Sequence, residues 1–153
     1  MSLLTKSDYG LVPQMLRESK DKRCTGAYLR PNTRGSISYC ALGTIYHQSG
    51  MPNWDIMFGK FTKAGGLRRE QVWKNLGVSN PKKRKICPKC SIVRTMPGLL
   101  AHLNDSHEMK WGDIADNLEL AQDYDSSKYT KFQNLKNFFF GVDRLKFLNP
   151  TET

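Results

Sequence analysis

The sequence predicts a mainly α-helical fold with minor β structure. Apolar residues recur at helical spacing in several stretches, and glycine or proline marks the ends of those stretches. Extended structure is expected only in short pieces such as GAYLR at 26–30, which turn residues flank on both sides. A hydrophobic fraction of 39% with 10% aromatic residues indicates a chain that folds around a core.

Residues 1–78 are predicted as a basic, mainly helical region with four helices. The first is a weak helix within the first 20 residues, and the second places Ile37, Cys40, Ala41 and Ile45 on one helical face. The third and fourth, WDIMFGKF and LRREQVWKNLGV, are predicted to be separated by Gly65-Gly66, and Gly77 is a plausible C-terminal stop for the fourth.

The remainder is predicted as three segments. SNPKKRK begins a basic, exposed linker at 79–86, which leads into a small module at 87–108. C-terminal helices follow at 109–153 and pack on the core or on a partner. The first of these has Trp111, Ile114, Ala115 and Leu118 on one face, with acidic residues directed away from it.

Charge is distributed unevenly along the chain. The net charge of +10 combines balances of +13 in residues 1–94, −6 in 95–125 and +3 in 126–153. This asymmetry favours a basic surface for a polyanion. The acidic helix at 105–125 is then expected to face a protein partner or the basic surface of a second copy. A well-solvated surface without a partner is the alternative interpretation of the same charges.

Four residues of the module have the spacing of metal ligands. They form the pattern Cys87-x2-Cys90-x11-His102-x4-His107, one residue short of the common C-x2-C-x12-H-x3–5-H spacing. A CxxC turn directs two thiolates inward, and two imidazoles from one helix complete the tetrahedron that structural zinc prefers. We therefore predict Zn2+ as cofactor of a small zinc-stapled ββα-like module, with Leu99 in its miniature core and a helix that continues to about residue 108.

This motif resembles a C2H2 zinc finger over residues 87–107, about one seventh of the chain. It departs from that family in its shorter spacer, in lacking the aromatic residue after the second cysteine, and in having no second finger. Fingers that read DNA contact bases from helix positions −1, 3 and 6. Thr95, Gly98 and Ala101 occupy these positions here, and none makes the bidentate contacts of Arg, Lys, Asn or Gln. The resemblance therefore implies a structural zinc.

Two further segments are similar to short uncharacterised proteins of phages and bacteria. SYCALGTIYHQSG at 38–50 and HLNDSHEMKWGDIADNLE at 102–119 resemble the CALG and HLND-x-H segments that these proteins pair. This resemblance implies a viral or mobile-element setting and no particular function. It also implies that Cys40 and the histidine helix belong to one fold.

Six cations surround the predicted metal site and are the predicted nucleic-acid contacts. Four directly precede the first cysteine, one lies within the CxxC turn and one follows it. Such a cluster binds phosphates in a salt-sensitive way with little sequence preference, and it does not distinguish DNA from RNA. The six are Lys82, Lys83, Arg84, Lys85, Lys89 and Arg94.

No catalytic constellation is apparent, so a non-enzymatic protein is expected. The chain lacks P-loop, GxSxG and HExxH motifs, and the two histidines with two thiolates would fill a zinc coordination sphere. Cys24, Cys40 and His47 have no zinc spacing, and free cysteine is commonly a core residue. KWGDIADNLE is interpreted as an ordinary amphipathic helix in preference to the first helix of a helix-turn-helix.

The sequence also favours an intracellular location. No apolar run approaches the roughly 20 residues that cross a bilayer, and MSLLTKSDYGLVPQ lacks the layout of a signal peptide. An intracellular protein is expected, in the host cytoplasm if it is viral, or in a virion.

The predicted function is sequence-tolerant nucleic-acid binding by a small zinc protein. The alternative is a structural or adaptor component of a larger assembly such as a virus particle, with zinc purely structural. It is supported by charge bipolarity suited to head-to-tail contacts and by an aromatic tail that should dock on the core or on a partner. The tail residues are Phe138, Phe139, Phe140, Leu145, Phe147 and Leu148.

Overall fold

The computed structural model describes residues 8–142 and confirms a mainly α-helical fold with minor β structure. The helices are α1 Val12–Glu18, α2 Ala41–Gln48, α3 Asn53–Phe58, α4 Lys63–Asn75, α5 Met96–Asp105, α6 Trp111–Leu120 and α7 Lys131–Phe140. The strands are β1 Lys22–Arg23, β2 Leu29–Pro31, β3 Ile37–Tyr39, β4 Arg84–Ile86, β5 Val93–Thr95 and β6 Gln122–Asp123. Short 3-10 turns occupy Gly59–Phe61 and Ser126–Lys128.

The strands form two small sheets of three strands each. In the first, β3 lies between β1, to which it is parallel, and β2, to which it is antiparallel. In the second, β4 lies between β5 and β6 and is antiparallel to both. The range 79–86, expected to be an exposed linker, thus ends in the central strand of a sheet.

One hydrophobic core joins the basic region and the module. Buried residues of α1, α2 and α6 belong to the same cluster as Cys87 and the apolar face of α5. The predicted miniature-core residue Leu99 is fully buried, and Leu100 and Leu103 are equally buried beside it. Because α5 buries more apolar surface than a lone finger needs, its extra leucines pack against α2 and α6.

Two helix boundaries differ from the predictions. Ile37, expected on the face of the second helix, lies in β3, and α2 begins only at Ala41, after Cys40 accepts a hydrogen bond from the amide of Gly43 through its Sγ. Gly65 and Gly66 do not separate two helices but lie inside α4. Thr62 caps that helix by accepting a hydrogen bond from the Gly65 amide at 2.9 Å.

The C-terminal helices follow the expected pattern in part. The face of α6 with Ile114, Ala115 and Leu118 is buried, as predicted. Helix α7 reaches the second sheet through buried Asn137, whose Nδ2 donates to the Tyr124 hydroxyl at 2.8 Å. Several of its apolar side chains nevertheless remain exposed, namely Phe132, Leu135, Phe138, Phe139 and Phe140. The tail residues Leu145, Phe147 and Leu148 lie outside the described part of the chain.

Candidate metal centre

The four predicted metal ligands converge on one point. Strands β4 and β5 form an antiparallel hairpin, and Cys87 follows β4 directly. The turn between the strands is closed by hydrogen bonds from the Ser91 amide to the Cys87 carbonyl at 2.9 Å and from the Cys87 amide to the Ile92 carbonyl at 2.8 Å. Helix α5 then returns across the hairpin and carries His102 to the open side of the turn.

The ligand atoms are close enough to share one metal ion. The two thiol sulfurs and one nitrogen from each imidazole all lie within 4.8 Å of one another. Cys90 Sγ is 3.1 Å from His102 Nε2, Cys87 Sγ is 3.6 Å from His107 Nε2, and the two Nε2 atoms are 3.1 Å apart. This Cys2His2 group could therefore hold a metal ion.

His107 reaches the centre from outside the helix. The sequence predicted that both histidines belong to one helix ending near residue 108, but α5 ends at Asp105. His107 lies two residues beyond the helix, and Glu108 directly after it has left-handed backbone with a φ of 49°. The Met109 amide donates to the Leu103 carbonyl at 3.3 Å, which holds this segment close to the end of α5. The ring of His107 meets the ring of His102 edge-on, with centroids 4.8 Å apart.

Burial acts in opposite directions on the two kinds of ligand. It raises the pKa of the Cys87 thiol, and it lowers the pKa of His102, which the neighbouring His107 lowers further. His102 is thus favoured as the neutral imidazole that a metal needs. The thiol of Cys87 would lose its proton on coordination, since the thiolate is the ligand form.

Two residues beside the ligands fasten this centre to the basic region. Asn104 is fully buried, and its Nδ2 donates to the Cys24 carbonyl at 2.8 Å. Asp105 Oδ1 accepts a hydrogen bond from the Gly26 amide at 3.1 Å. Sequence reasoning assigned no part to Asn104. The sequence shows an Asn-Asp pair between His102 and His107, but residue spacing does not reveal the distant partners of that pair.

The six predicted nucleic-acid contacts differ in exposure and in their contacts within the chain. Lys82, Arg84 and Lys89 are exposed near the CxxC turn. Arg94 is half-buried and donates to the Phe138 carbonyl at 2.8 Å. Its guanidinium carbon also lies 4.3 Å from the centroid of the Phe138 ring.

Lys83 and Lys85 are instead committed to internal charge pairs. Lys85 is 3% exposed, and its ammonium pairs with Asp8 and with Asp123, its cross-strand neighbour on β6. Lys83 pairs with the same two carboxylates at 3.2 and 2.8 Å. The prediction that Lys85 faces nucleic acid is therefore corrected: every second residue of a central strand points inward, and Lys85 occupies that position.

The pKa values of this ionic cluster shift in the direction of mutual stabilisation. Hydrogen bonds from Lys85 and Lys83 lower the pKa of Asp8, and the same two lysines lower the pKa of Asp123. Burial acts to lower the pKa of Lys85, but hydrogen bonds with Asp123 and Asp8 raise it above its usual value. All four groups are thus held in their charged forms.

The other possible ligands lie apart from this centre. Cys24 Sγ is 3.5 Å from the Ala27 carbonyl, Cys40 caps α2, and His47 Nδ1 is 3.1 Å from a carboxylate oxygen of Asp21. Within residues 8–142, the Cys2His2 group is the only set of three or more His, Cys, Asp or Glu arranged closely enough for a metal.

No family model, curated protein or solved structure matches this chain. The resemblances to C2H2 fingers and to phage and bacterial proteins therefore remain predictions. Across the described range, no helix has both the length and the apolar character required to cross a membrane.

Proposed function

We propose that this chain is a small, non-enzymatic zinc protein that binds nucleic acid with little sequence preference through its basic N-terminal two thirds. The observation that carries this proposal is the Cys2His2 group, whose four ligand atoms lie within 4.8 Å of one another, in a chain with a large surplus of cations. Between residues 1 and 94, Lys and Arg outnumber Asp and Glu by 13. A surplus of this size favours a polyanionic partner.

Zinc is the metal that the donor set fits. With Zn–S bonds of about 2.3 Å and Zn–N bonds of about 2.0–2.1 Å, a tetrahedron has N–N edges of about 3.3 Å and N–S edges of about 3.5 Å. The N–N separation of 3.1 Å and the N–S separations of 3.1 and 3.6 Å are close to these values. The four ligand atoms as a group lie within 4.8 Å of one another, so they would draw closer around a bound ion. Four protein ligands leave no open position, which favours a structural role.

The exposed cations support backbone contact in preference to base reading. Lys82, Arg84 and Lys89 are exposed, and an exposed cation can meet a phosphate. Thr95 and Gly98, at two of the positions where fingers read bases, lie at the start of α5 and offer no bidentate donor. Arg94 beside them is already bound to the Phe138 carbonyl.

A salt series tests the proposal. Fluorescence anisotropy of labelled duplex and single-stranded oligonucleotides would compare the wild type with Lys82→Ala/Arg84→Ala/Lys89→Ala. Each lost phosphate contact should reduce the slope of log affinity against log salt by roughly 0.7–0.9. The matched control is Lys110→Ala/Lys128→Ala/Lys131→Ala, which removes the same charge from exposed positions in the acidic and C-terminal parts.

The two variants separate local contact from overall charge. A slope that falls only in the first variant supports the proposal. Equal losses in both variants would mean that net charge alone attracts the oligonucleotide, and no binding by zinc-loaded wild type at low salt would reject nucleic acid as the partner.

The exposed apolar face of α7 favours a second candidate function, that of a component of a larger assembly. Phe132 is 76% and Phe140 80% exposed, an unusual arrangement for aromatic side chains without a partner. Sedimentation of the wild type and of Phe132→Ser/Phe140→Ser tests this candidate. A defined oligomer that the variant abolishes would support it, whereas a monomer at all concentrations would reject self-assembly through α7.

A further inference from the structure

A second surface, away from the metal ligands in sequence, exposes aromatic rings among cations. It is formed by α3, the 3-10 turn that follows it and the first turns of α4, and we call it the aromatic–basic surface. Its rings belong to Trp54, Phe58 and Phe61, which are 72%, 38% and 75% exposed. Its cations include Lys60 and Lys63, both exposed.

The rings share one side of the segment because of their spacing. Positions 54, 58 and 61 recur at intervals of four and three, as residues on one helical face do. The rings of Trp54 and Phe58 are in contact, with centroids 4.5 Å apart. The opposite side is anchored by Ile56, which is fully buried, and by buried Gly59. The rings are therefore presented outward by a segment that the core fixes in place.

The cations lie directly against the aromatic faces. Lys60 Nζ is 4.8 Å from the centroid of the Phe61 ring and 5.4 Å from that of Tyr28. The Arg69 guanidinium carbon lies 4.8 Å from the Tyr28 centroid. Positive charge is therefore held within a few ångströms of open ring surface.

Few acids oppose this charge. Residues 53–75 contain five Lys and Arg against two acids, Asp55 and Glu70. Asp55 is paired with Arg68, so these two charges offset each other, and four Lys and Arg remain against one acid. A segment with this net positive charge and exposed rings suits a ligand that combines flat apolar rings with negative charge.

We propose that the aromatic–basic surface is a stacking platform for single-stranded nucleic acid, an inference that rests on the proposed function and gives it a location. Single strands bind where bases stack on exposed aromatic rings and phosphates meet neighbouring cations. A duplex hides its base faces, so it would meet only the cations. A lipid surface is less well matched, because interfacial helices present a long apolar face and α3 has only six residues.

Removing the rings without changing charge tests the platform. In the full chain, Trp54→Ala/Phe61→Ala should weaken binding to a labelled oligo-dT strand roughly tenfold to hundredfold. Duplex affinity should change less than about twofold and the salt slope should stay constant, since no cation is removed. Phe132→Ala/Phe140→Ala is the matched control, because it removes two equally exposed rings from α7 and should leave oligo-dT binding unchanged.

Tryptophan fluorescence gives an independent readout. Trp73 is 4% exposed and Trp111 is half-buried, so Trp54 is the tryptophan open to a stacking base. Oligo-dT should quench part of the wild-type emission. The Trp54→Phe variant should keep near-normal affinity, because a ring remains, and should lose the quenching.

The outcomes distinguish this inference from the function on which it rests. Wild-type binding of oligo-dT that Trp54→Ala/Phe61→Ala leaves intact would overturn the platform and leave nucleic-acid binding in place. Wild-type protein that binds neither oligo-dT nor duplex DNA would overturn both the stacking platform and nucleic-acid binding. Binding to anionic phosphatidylserine vesicles that depends on the two rings, with oligo-dT binding unaffected, would assign the surface to a membrane and overturn the inference.

Discussion

At position 85 a lysine ammonium lies in the protein interior next to two carboxylates and an aromatic ring. Asp8 and Asp123 accept its hydrogen bonds, and its Nζ lies 4.9 Å from the centroid of the Tyr9 ring. These contacts bring together the residues before α1, strand β4 and strand β6. The charge therefore acts between elements of this chain, and it is not available to an external phosphate.

Replacement of Lys85 by alanine should destabilise the fold. The variant leaves Asp8 and Asp123 with Lys83 alone as their lysine partner, and it removes the contact of the Lys85 ammonium with the Tyr9 ring. Because both carboxylates are partly exposed and can be rehydrated, we expect a loss of about 1–3 kcal/mol in the free energy of unfolding. Urea denaturation followed by circular dichroism measures it.

The matched control is Lys82→Ala, three positions earlier and exposed. A change within about 0.5 kcal/mol is expected there. If the two substitutions cost the same, the internal ionic cluster does not contribute to stability as we infer.

At the scale of elements, α4 meets the turn after α3 at two glycines. A Cβ added at Gly65 would lie 2.2 Å from the Gly59 carbonyl oxygen, closer than any real contact. The absence of a side chain at Gly65 thus allows the first turn of α4 to pack against the 3-10 turn. At Gly66 a Cβ would meet nothing within 4 Å.

Replacing each of these two neighbouring glycines by alanine should therefore have different effects on the free energy of unfolding. Gly65→Ala should cost about 2 kcal/mol or more, because backbone atoms must move apart. Gly66→Ala should be neutral or stabilising by up to about 1 kcal/mol, since alanine is the better helix former and has room. Thermal unfolding of both variants provides the measurement. Equal effects would contradict the close packing of the two turns.

At the scale of the whole molecule, the metal centre belongs to the main core. Cys87 lies in the same buried cluster as residues of α1, α2 and α6. Asn104 and Asp105 further connect α5 to the segment after β1. A metal bound here would therefore stabilise the entire described fold and not merely a detachable finger.

Loss of the metal should lower the stability of the chain in one cooperative step. Chelation, or Cys90→Ser, is expected to release one equivalent of zinc and to lower Tm by about ten degrees or more, because binding free energy is folding free energy at such sites. Cys24→Ser is the matched control, since Cys24 is half-buried and outside the Cys2His2 group. Metal analysis and scanning calorimetry follow both changes.

Two results would be incompatible with this picture. An unchanged Tm and metal content in Cys90→Ser would reject the Cys2His2 group as a metal site. A separate low-temperature transition for the finger alone would show that the module unfolds independently of the core.

Local patterns in the sequence determined much of this protein. The four members of the Cys2His2 group were predicted from their spacing, because CxxC turns and paired histidines impose short, regular distances along the chain. The buried face of α6 and the stop at Gly77, with its φ of 77°, also followed from periodicity and from the conformational freedom of glycine. These features depend on residues within a few positions of one another.

Only the tertiary structure decided which cations face outward and which glycines are packed. Lys85 and Lys82 belong to one basic run, yet pairing of β4 with β6 buries the first and leaves the second exposed. Gly65 was predicted to separate two helices, but it lies inside α4 and packs against Gly59. Such outcomes depend on partners distant in the chain or on close packing between elements, and neither leaves a periodic signal in the sequence.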